Sequence, residues 1–196
     1  MRTRPDLFFQ KIFARDGRLI GIEILSRNFP VQPETDVHVF YSIVEELSGW
    51  KPSVPVHVNV FYSTLKFVNW DEIRKEFGDL LVVELVESRM TGSAKDLELL
   101  FRDGITVALD DFGSGFSNFY LINQFPFDMV KVDAQFTSPA VAELLKREYG
   151  VSFVVAEKTS RYPADAFQSF QLHVPERLTE EARVVIEEEA KSLQKR

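Results

Sequence analysis

Residues 105–111 read ITVALDD, a short apolar run closed by two adjacent carboxylates. Runs of β-branched and aliphatic residues of this length are typical of a buried strand. A second such run, DMVKVD at 128–133, follows a segment rich in Gly, Ser and Phe. Two apolar runs that each end in acidic residues predict neighbouring parallel strands whose polar ends meet at one edge of a sheet.

The same pattern extends along the chain in both directions. The strand candidates are LFFQKIF, LIGIEIL, VPVHVNV, LLVVELV, ITVALD, DMVKVD, VSFVVAE and AFQSFQL. The helix candidates are DVHVFYSIVEELSG, NWDEIRKEFG, SAKDLELLFRDG, SPAVAELLKREYG and the tail LTEEARVVIEEEAKSLQKR. This alternation predicts an α/β fold, a TIM-like (β/α)8 barrel, with an open doubly wound sheet as the alternative. The chain has 196 residues, whereas about 250 are typical of such barrels, so several helices must be shortened or missing.

The first two strands are expected to differ in direction from the others. Asp16-Gly17 separates them and is a hairpin turn signal, so the first strand is predicted to be antiparallel to the second. No linker, repeat or low-complexity stretch interrupts the chain, which predicts one domain over residues 1–196.

Composition limits the cellular compartments and the binding partners that we expect for this protein. The net charge of −7 argues against passive binding to DNA or to an anionic membrane. No run approaches the roughly 18 apolar residues of a membrane span, and there are no cysteines, which fits a reducing compartment. We therefore expect a soluble, cytoplasmic protein without DNA or membrane partners.

Polar residues recur at the carboxyl ends of the predicted strands. They are Glu23, Asn59, Glu84, Asp110, Asp111, Lys131, Asp133 and Glu157. A single acid at a strand end is usually a cap or turn residue. Four acidic strand ends with an amide, gathered at one barrel mouth, would repel each other unless a cation neutralised them. Oxygen ligands without Cys or clustered His favour Mg²⁺, Mn²⁺ or Ca²⁺ over Zn²⁺.

Adjacent carboxylates suit a pair of metal ions. Asp110 and Asp111 could hold two ions a few Å apart, an arrangement that assists phosphoryl displacement. Lys131 would then stabilise negative charge near a phosphate or an activated water. The histidines His38, His57 and His173 lack metal-ligand spacing and are interpreted as structural or surface residues.

The stretch DDFGSGFSNFYLINQFPFDMVKVD (110–133) resembles the DDFGTGYSSLxYLxxLPxDxLKID signature of the EAL-domain family of bacterial cyclic di-GMP phosphodiesterases. GIEILSR is similar to the family's GxEALLR, HVNV to its VNxS strand, VVELVES to LEITES and VVAEK to VAEGVE. QSFQLHVP is a weaker match to QGYxFxxP. The resemblance covers nearly the whole chain in the same order.

This resemblance implies a function and a set of roles. The implied reaction is hydrolysis of cyclic di-GMP to linear pGpG with two Mg²⁺ or Mn²⁺ ions. The first ion would be held by Glu23, Asn59, Glu84 and Asp110, and Asp111 would serve the second, with Asp110 bridging. The implied catalytic residues are Lys131, Glu157 and Asp111, of which Lys131 and Glu157 position or activate the attacking water. The implied substrate contacts are Gln10, Leu25, Arg27, Asp133 and Gln168, and Glu87 would brace the loop after the Asp pair.

Departures from the family pattern keep further functions open. Lys158 and Ser160 stand where the family has Gly and a second Glu, which favours a receptor that binds cyclic di-GMP without cleaving it. The shortened helices leave room for a protein-interaction module that binds no nucleotide. A different metallohydrolase on the same scaffold is a further alternative. A homodimer and a regulatory protein partner are also consistent with the resemblance.

Overall fold

The computed structural model describes residues 4–13, 18–27, 33–86, 94–112, 118–132, 147–148, 153–156 and 176–193. The strands are β1 Asp6–Phe13, β2 Leu19–Arg27, β3 Val56–Phe61, β4 Leu81–Val86, β5 Thr106–Phe112, β6 Met129–Val132, β7 Phe153–Ala156 and β8 Glu176–Arg177. The helices are α1 Pro33–Trp50, α2 Trp70–Phe77, α3 Ala94–Arg102, α4 Asn118–Gln124 and α5 Glu180–Leu193, with 3₁₀ turns at Tyr62–Phe67 and Gly78–Leu80. Most predicted elements therefore exist, with ends that move by one to three residues.

All eight strands belong to one sheet in the order β7-β6-β5-β4-β3-β2-β1-β8. The strands from β2 to β7 are parallel, whereas β1 is antiparallel to both of its neighbours, β2 and β8. The predicted antiparallel first strand and the predicted α/β barrel architecture are thus confirmed. Because β2 to β7 run the same way, their carboxyl ends lie at one edge of the sheet.

The central strands are apolar on both faces, as expected of a parallel sheet covered by helices. Ile22, Val58, Val83 and Val107 are completely buried. Larger rings fill the layer outside the strands, where the ring of Phe101 on α3 stacks on Phe125, with their centroids 5.7 Å apart. The core therefore holds the strands in a fixed register, which positions the described polar residues near their carboxyl ends.

Two elements were not predicted, and some predictions lie outside the described residues. Helix α4 follows the Gly-rich stretch and buries Leu121 and Ile122, but seven residues are too few to show a clear helical period. Strand β8 has two residues only. The predicted strand AFQSFQL, the turn at Asp16-Gly17 and most of the predicted helix SPAVAELLKREYG lie outside the described ranges.

The last helix, α5, packs its apolar side onto the rest of the domain. Ile186 is completely buried and Ala190 nearly so, while Arg183 pairs with Glu46 of α1 and lies over the ring of Trp50. Within the described part of the chain, no helix is both long and apolar enough to cross a membrane.

Candidate active site

Four side chains from four parallel strands meet at the carboxyl edge of the sheet. Lys131 on β6 places Nζ 2.9 Å from Glu84 Oε2 on β4 and 3.1 Å from Glu23 Oε2 on β2. The same Nζ lies 3.2 Å from Asp110 Oδ1 on β5. Alternate residues of a strand point to one face, and these four residues share the face at which their strands' side chains meet. We call this group the acidic cluster.

Asn59 joins the acidic cluster from β3. Its Nδ2 donates a hydrogen bond to Glu23 Oε1 over 2.7 Å. Asn59 lies opposite Glu84 in the β3–β4 register, so the amide sits between the two glutamates. Each oxygen of Glu23 therefore accepts from a different donor, Asn59 or Lys131.

Burial and mutual repulsion change the acidity of the cluster. Burial, with repulsion from Glu84 and Asp110, raises the pKa of Glu23 to about 7 against the attraction of Lys131. Burial also raises the pKa of Asp110 to about 6, although Lys131 opposes it. Burial would raise the pKa of Glu84 too, but Lys131 and a hydrogen bond from His57 outweigh burial and lower it. Burial lowers the pKa of Lys131, yet Glu84, Glu23 and Asp110 together raise it well above its ordinary value.

These shifts describe a site that is short of positive charge. The single ammonium group of Lys131 keeps Glu84 ionised. Its attraction does not prevent burial from raising the pKa of Glu23 to about 7 and the pKa of Asp110 to about 6. A further cation near these carboxylates would favour their ionised forms. The acidic cluster is therefore electrostatically suited to take up a divalent ion.

A bulge in β5 separates the two adjacent aspartates. The β5–β6 register shifts between Leu109 and Phe112, so that Asp110 and Asp111 together stand opposite Lys131. Asp111 has a φ of 53°, in the left-handed region, which Asp adopts more readily than most residues. As a result Asp110 is largely buried in the cluster, whereas Asp111 is exposed. Bulges of this kind re-aim side chains near active sites.

The donor set of the cluster fits a hard divalent cation. Glu23, Asn59, Glu84 and Asp110 offer carboxylate and amide oxygens, which Mg²⁺ and Mn²⁺ prefer. Among the residues that the structure describes, no three acidic or histidine side chains are arranged to hold a metal ion. The ammonium of Lys131 occupies the position between the carboxylates instead. It would have to move away before a metal ion could bind at that position.

Three predicted substrate contacts lie on the face of the β1–β2 hairpin that carries Glu23. Gln10 stands directly opposite Glu23, and Leu25 and Arg27 follow Glu23 at alternate positions toward the end of β2. Gln10 and Leu25 are half-buried and Arg27 is exposed. The other predicted positions lie outside the described residues: Glu87, Asp133, Glu157 and Gln168, together with the altered Lys158 and Ser160.

His57 belongs to the site although the sequence interpretation assigned it no part in the chemistry. It is buried, and its Nδ1 lies 2.8 Å from Glu84 Oε1. It precedes Asn59 by two positions on β3, so both side chains point to the same face. That alternation was the available signal in the sequence. A search for pairs of histidines at metal-ligand spacing does not find a histidine that contacts a carboxylate.

Comparison with known sequences identifies a family. The model of the family described as "EAL domain" matches residues 31–154. The match begins after β2, so Glu23 lies outside it. The oxygen sensor protein DosP of Escherichia coli is 27% identical over 169 residues, which are 68% of this chain and 21% of DosP. The chain spans between 14% and 24% of the curated relatives that it matches over more than half of its own length.

Solved structures share the fold. The EAL domain of Mycobacterium smegmatis DcpA superposes with a TM-score of 0.72 at 23% identity, covering 92% of this chain and 96% of that one. Klebsiella pneumoniae BlrP1, solved as a complex with calcium and cy-diGMP, has a TM-score of 0.66 at 18% identity and covers 88% of this chain and 57% of its own. Another structure of BlrP1 is a manganese and cy-diGMP complex. At these identities the likeness establishes the architecture of the barrel.

Proposed function

Because the chain belongs to the EAL domain family, we propose that it is a metal-dependent phosphodiesterase that hydrolyses cyclic di-GMP to linear pGpG. The observation that carries this proposal is the meeting of Glu23, Glu84 and Asp110 around one cation, the ammonium of Lys131. A metal-dependent phosphodiester hydrolase uses clustered carboxylates to hold metal ions beside an anionic substrate. BlrP1, with the same architecture, is solved with a divalent ion and cy-diGMP, which supports the same ligand class here.

The residues that would hold the metal ions follow from their positions. We propose that Glu23, Asn59, Glu84 and Asp110 hold one Mg²⁺ or Mn²⁺ ion, and that Asp111 serves a second ion, which Asp110 also contacts. The bulge in β5 supports this division, because Asp110 turns into the cluster and Asp111 remains accessible from outside it. When bound, such ions polarise the phosphoryl oxygens and lower the pKa of water.

The protein side chains supply the proton handling and the charge stabilisation. In the reaction, water adds to one phosphorus, the bond from that phosphorus to O3′ breaks, and the ring opens to a dinucleotide with a 5′-phosphate and a 3′-hydroxyl. Lys131, displaced from its carboxylates, would donate hydrogen bonds to the developing negative charge. Glu157 would accept the proton that the attacking water loses.

Substrate binding would use the open face of the hairpin. Gln10 and Leu25 lie beside Glu23 and would contact the dinucleotide close to the reacting phosphate. Arg27 is exposed at the end of β2 and offers a cation to a substrate with two negative charges. Asp133 and Gln168 are proposed as further contacts, and Glu87 as the residue that braces the loop after the Asp pair.

The proposal extends to the chain as a whole. Residues 1–196 would form one EAL-like domain that acts in the cytoplasm on free cyclic di-GMP. A homodimer and a regulatory protein are the proposed partners.

A second candidate function is a cyclic di-GMP receptor without turnover. The substitutions at Lys158 and Ser160, which stand where the family has Gly and a second Glu, favour it. Such a protein would bind the nucleotide but would never collect the metal ions that cleavage requires.

Turnover separates the two candidates. Purified protein is incubated with cyclic di-GMP and either Mn²⁺ or Mg²⁺, and pGpG is measured by chromatography. We expect product from the wild-type chain and from Asp79→Ala, an exposed control position, and none from Asp110→Ala. Absence of pGpG with both metals, together with nucleotide binding in calorimetry, would reject the enzyme in favour of the receptor.

A further inference from the structure

The buried imidazole of His57 makes a contact that the proposed reaction does not use. His57 Nδ1 lies 2.8 Å from Glu84 Oε1, and both side chains are almost completely inaccessible to solvent. An ionised carboxylate can only accept hydrogen bonds. If Glu84 is ionised, as a metal ligand is, Nδ1 is the atom that carries the hydrogen and donates it to Oε1.

The fold provides a space shaped for this ring. Gly21 neighbours His57 across the β2–β3 pair, and a Cβ at position 21 would lie 3.4 Å from His57 Nε2 and 3.0 Å from the carbonyl oxygen of Pro55. A side chain at position 21 would press on the carbonyl oxygen of Pro55 and would fill the space next to the ring. Gly21 thus leaves room beside the imidazole, whose Nδ1 is within hydrogen-bonding distance of Glu84.

The two oxygens of Glu84 have donors of different kinds. Oε2 accepts from Lys131, whose ammonium also contacts Glu23 and Asp110. Oε1 accepts from His57, a short side chain anchored within β3. Lys131 has a long flexible stem and is the donor that a metal ion would displace, so His57 is the donor that would remain.

We propose that His57 is a positioning residue for the metal centre: its Nδ1–H holds Glu84 Oε1 and thereby keeps Oε2 turned toward the middle of the acidic cluster. This inference rests on the proposed function, because it requires Glu84 to be a metal ligand. Partners that orient ligating side chains commonly contribute about 10- to 100-fold to metal affinity.

A matched pair of variants isolates the hydrogen bond. In His57→Asn the amide nitrogen lies close to the position of Nδ1 and can still donate, whereas His57→Leu has nearly the same shape as Asn without a donor. Mn²⁺ affinity is measured by titration calorimetry on protein stripped of metal. We expect His57→Leu to bind Mn²⁺ about 10- to 100-fold more weakly and His57→Asn to remain close to the wild type. Equal affinities in all three proteins, or an equal loss in both variants, would overturn the inference.

A spectroscopic measurement tests the hydrogen bond without any variant or metal. Long-range ¹H–¹⁵N spectra of the metal-free wild-type protein report which ring nitrogen of His57 is protonated. We expect a hydrogen on Nδ1. A neutral ring protonated only on Nε2 could not donate to Glu84, and the inference would then be wrong even if His57→Leu failed to fold.

The failures of the two proposals are distinguishable. A wild-type protein that binds Mn²⁺, loses affinity in His57→Leu and produces no pGpG would reject the phosphodiesterase and retain the role of His57. A protein that produces pGpG while His57→Leu binds Mn²⁺ normally would reject the role of His57 alone. A wild-type protein without measurable Mn²⁺ binding would overturn the inference.

Discussion

Lys131 is the residue on which the charge balance of the site depends. Its ammonium contacts carboxylates from three strands. One of these carboxylates, that of Glu84, is completely buried. Removing one partner of a buried ion pair leaves the other as an uncompensated charge, which costs far more than the net value of the pair. Lys131 is therefore a structural residue in the metal-free protein, in addition to its proposed part in catalysis.

Lys131→Met tests this structural contribution, because Met keeps most of the volume and removes the charge. We expect the free energy of unfolding, measured by urea denaturation at neutral pH with a chelator present, to fall by about 3–5 kcal/mol. Proton uptake by Glu23, whose pKa is raised to about 7, would place the loss at the lower end of that range.

The control for this variant is Lys75→Met. Lys75 forms an exposed ion pair with Asp71 within α2, and such pairs contribute little. We expect the free energy of unfolding of Lys75→Met to stay at the wild-type value. Equal stabilities of the Lys131 and Lys75 variants would contradict the assigned role of the buried ammonium.

The backbone conformation at Asp111 places the identical side chains of Asp110 and Asp111 in different environments. In a regular strand, consecutive residues point to opposite faces, and the bulge with a left-handed Asp111 modifies that rule locally. The repulsion between adjacent carboxylates is reduced because one is buried beside Lys131 and the other is exposed.

At the scale of elements, α5 closes the described part of the fold against β2 and α1. Its attachment combines the buried Ile186 with polar contacts at its borders, among them a hydrogen bond from the Ser53 amide to Glu187 over 3.0 Å. Apolar burial is the larger contribution, since hydrogen bonds of exposed groups exchange with water at little net gain.

Ile186→Ala measures how strongly this helix is attached. Deleting a fully buried isoleucine side chain to Ala costs about 2–5 kcal/mol, depending on how well the site collapses. We expect a loss in this range from urea denaturation. Val184→Ala, on the exposed side of the same helix, should change stability by less than about 0.5 kcal/mol. Similar losses for both variants would show that α5 does not pack as described.

For the molecule as a whole, the net charge is −7, and the carboxylates of the acidic cluster are part of it. Lys131 is one cation among four acids, counting Asp111 with Glu23, Glu84 and Asp110. Binding of divalent ions to the folded state alone must stabilise that state by mass action. If the acidic cluster binds divalent ions as proposed, metal binding and global stability are coupled.

Thermal unfolding with and without Mn²⁺ measures this coupling. With free Mn²⁺ at about 100 times its dissociation constant, we expect about 2.7 kcal/mol of added stability, reversed by a chelator. Asp110→Ala should lose the response, while Asp79→Ala should keep it. An undiminished response in Asp110→Ala would place the metal elsewhere on the protein.

Much of the fold could be predicted from the sequence. The apolar runs that contain Val58, Val83 and Val107 predicted buried parallel strands, and Asp16-Gly17 predicted the reversal between β1 and β2. These signals are local, because strand propensity and side-chain alternation depend on neighbouring residues. Helix α4 was missed because its seven residues follow a Gly-rich stretch and owe their stability to the burial of Leu121 and Ile122 against other elements.

The pattern of polar residues in the apolar runs was sufficient to predict Glu23, Asn59, Glu84, Asp110 and Lys131 as members of the candidate site, but not His57. How these residues meet follows from the packing of the folded chain alone. Lys131 lies 108 positions from Glu23, and His57 lies 27 positions from Glu84. Contacts over such distances depend on the register of strands that pair through the whole sheet, and a bulge of one residue changes them. Local patterns contain no information about that register, which the packing of the complete core sets.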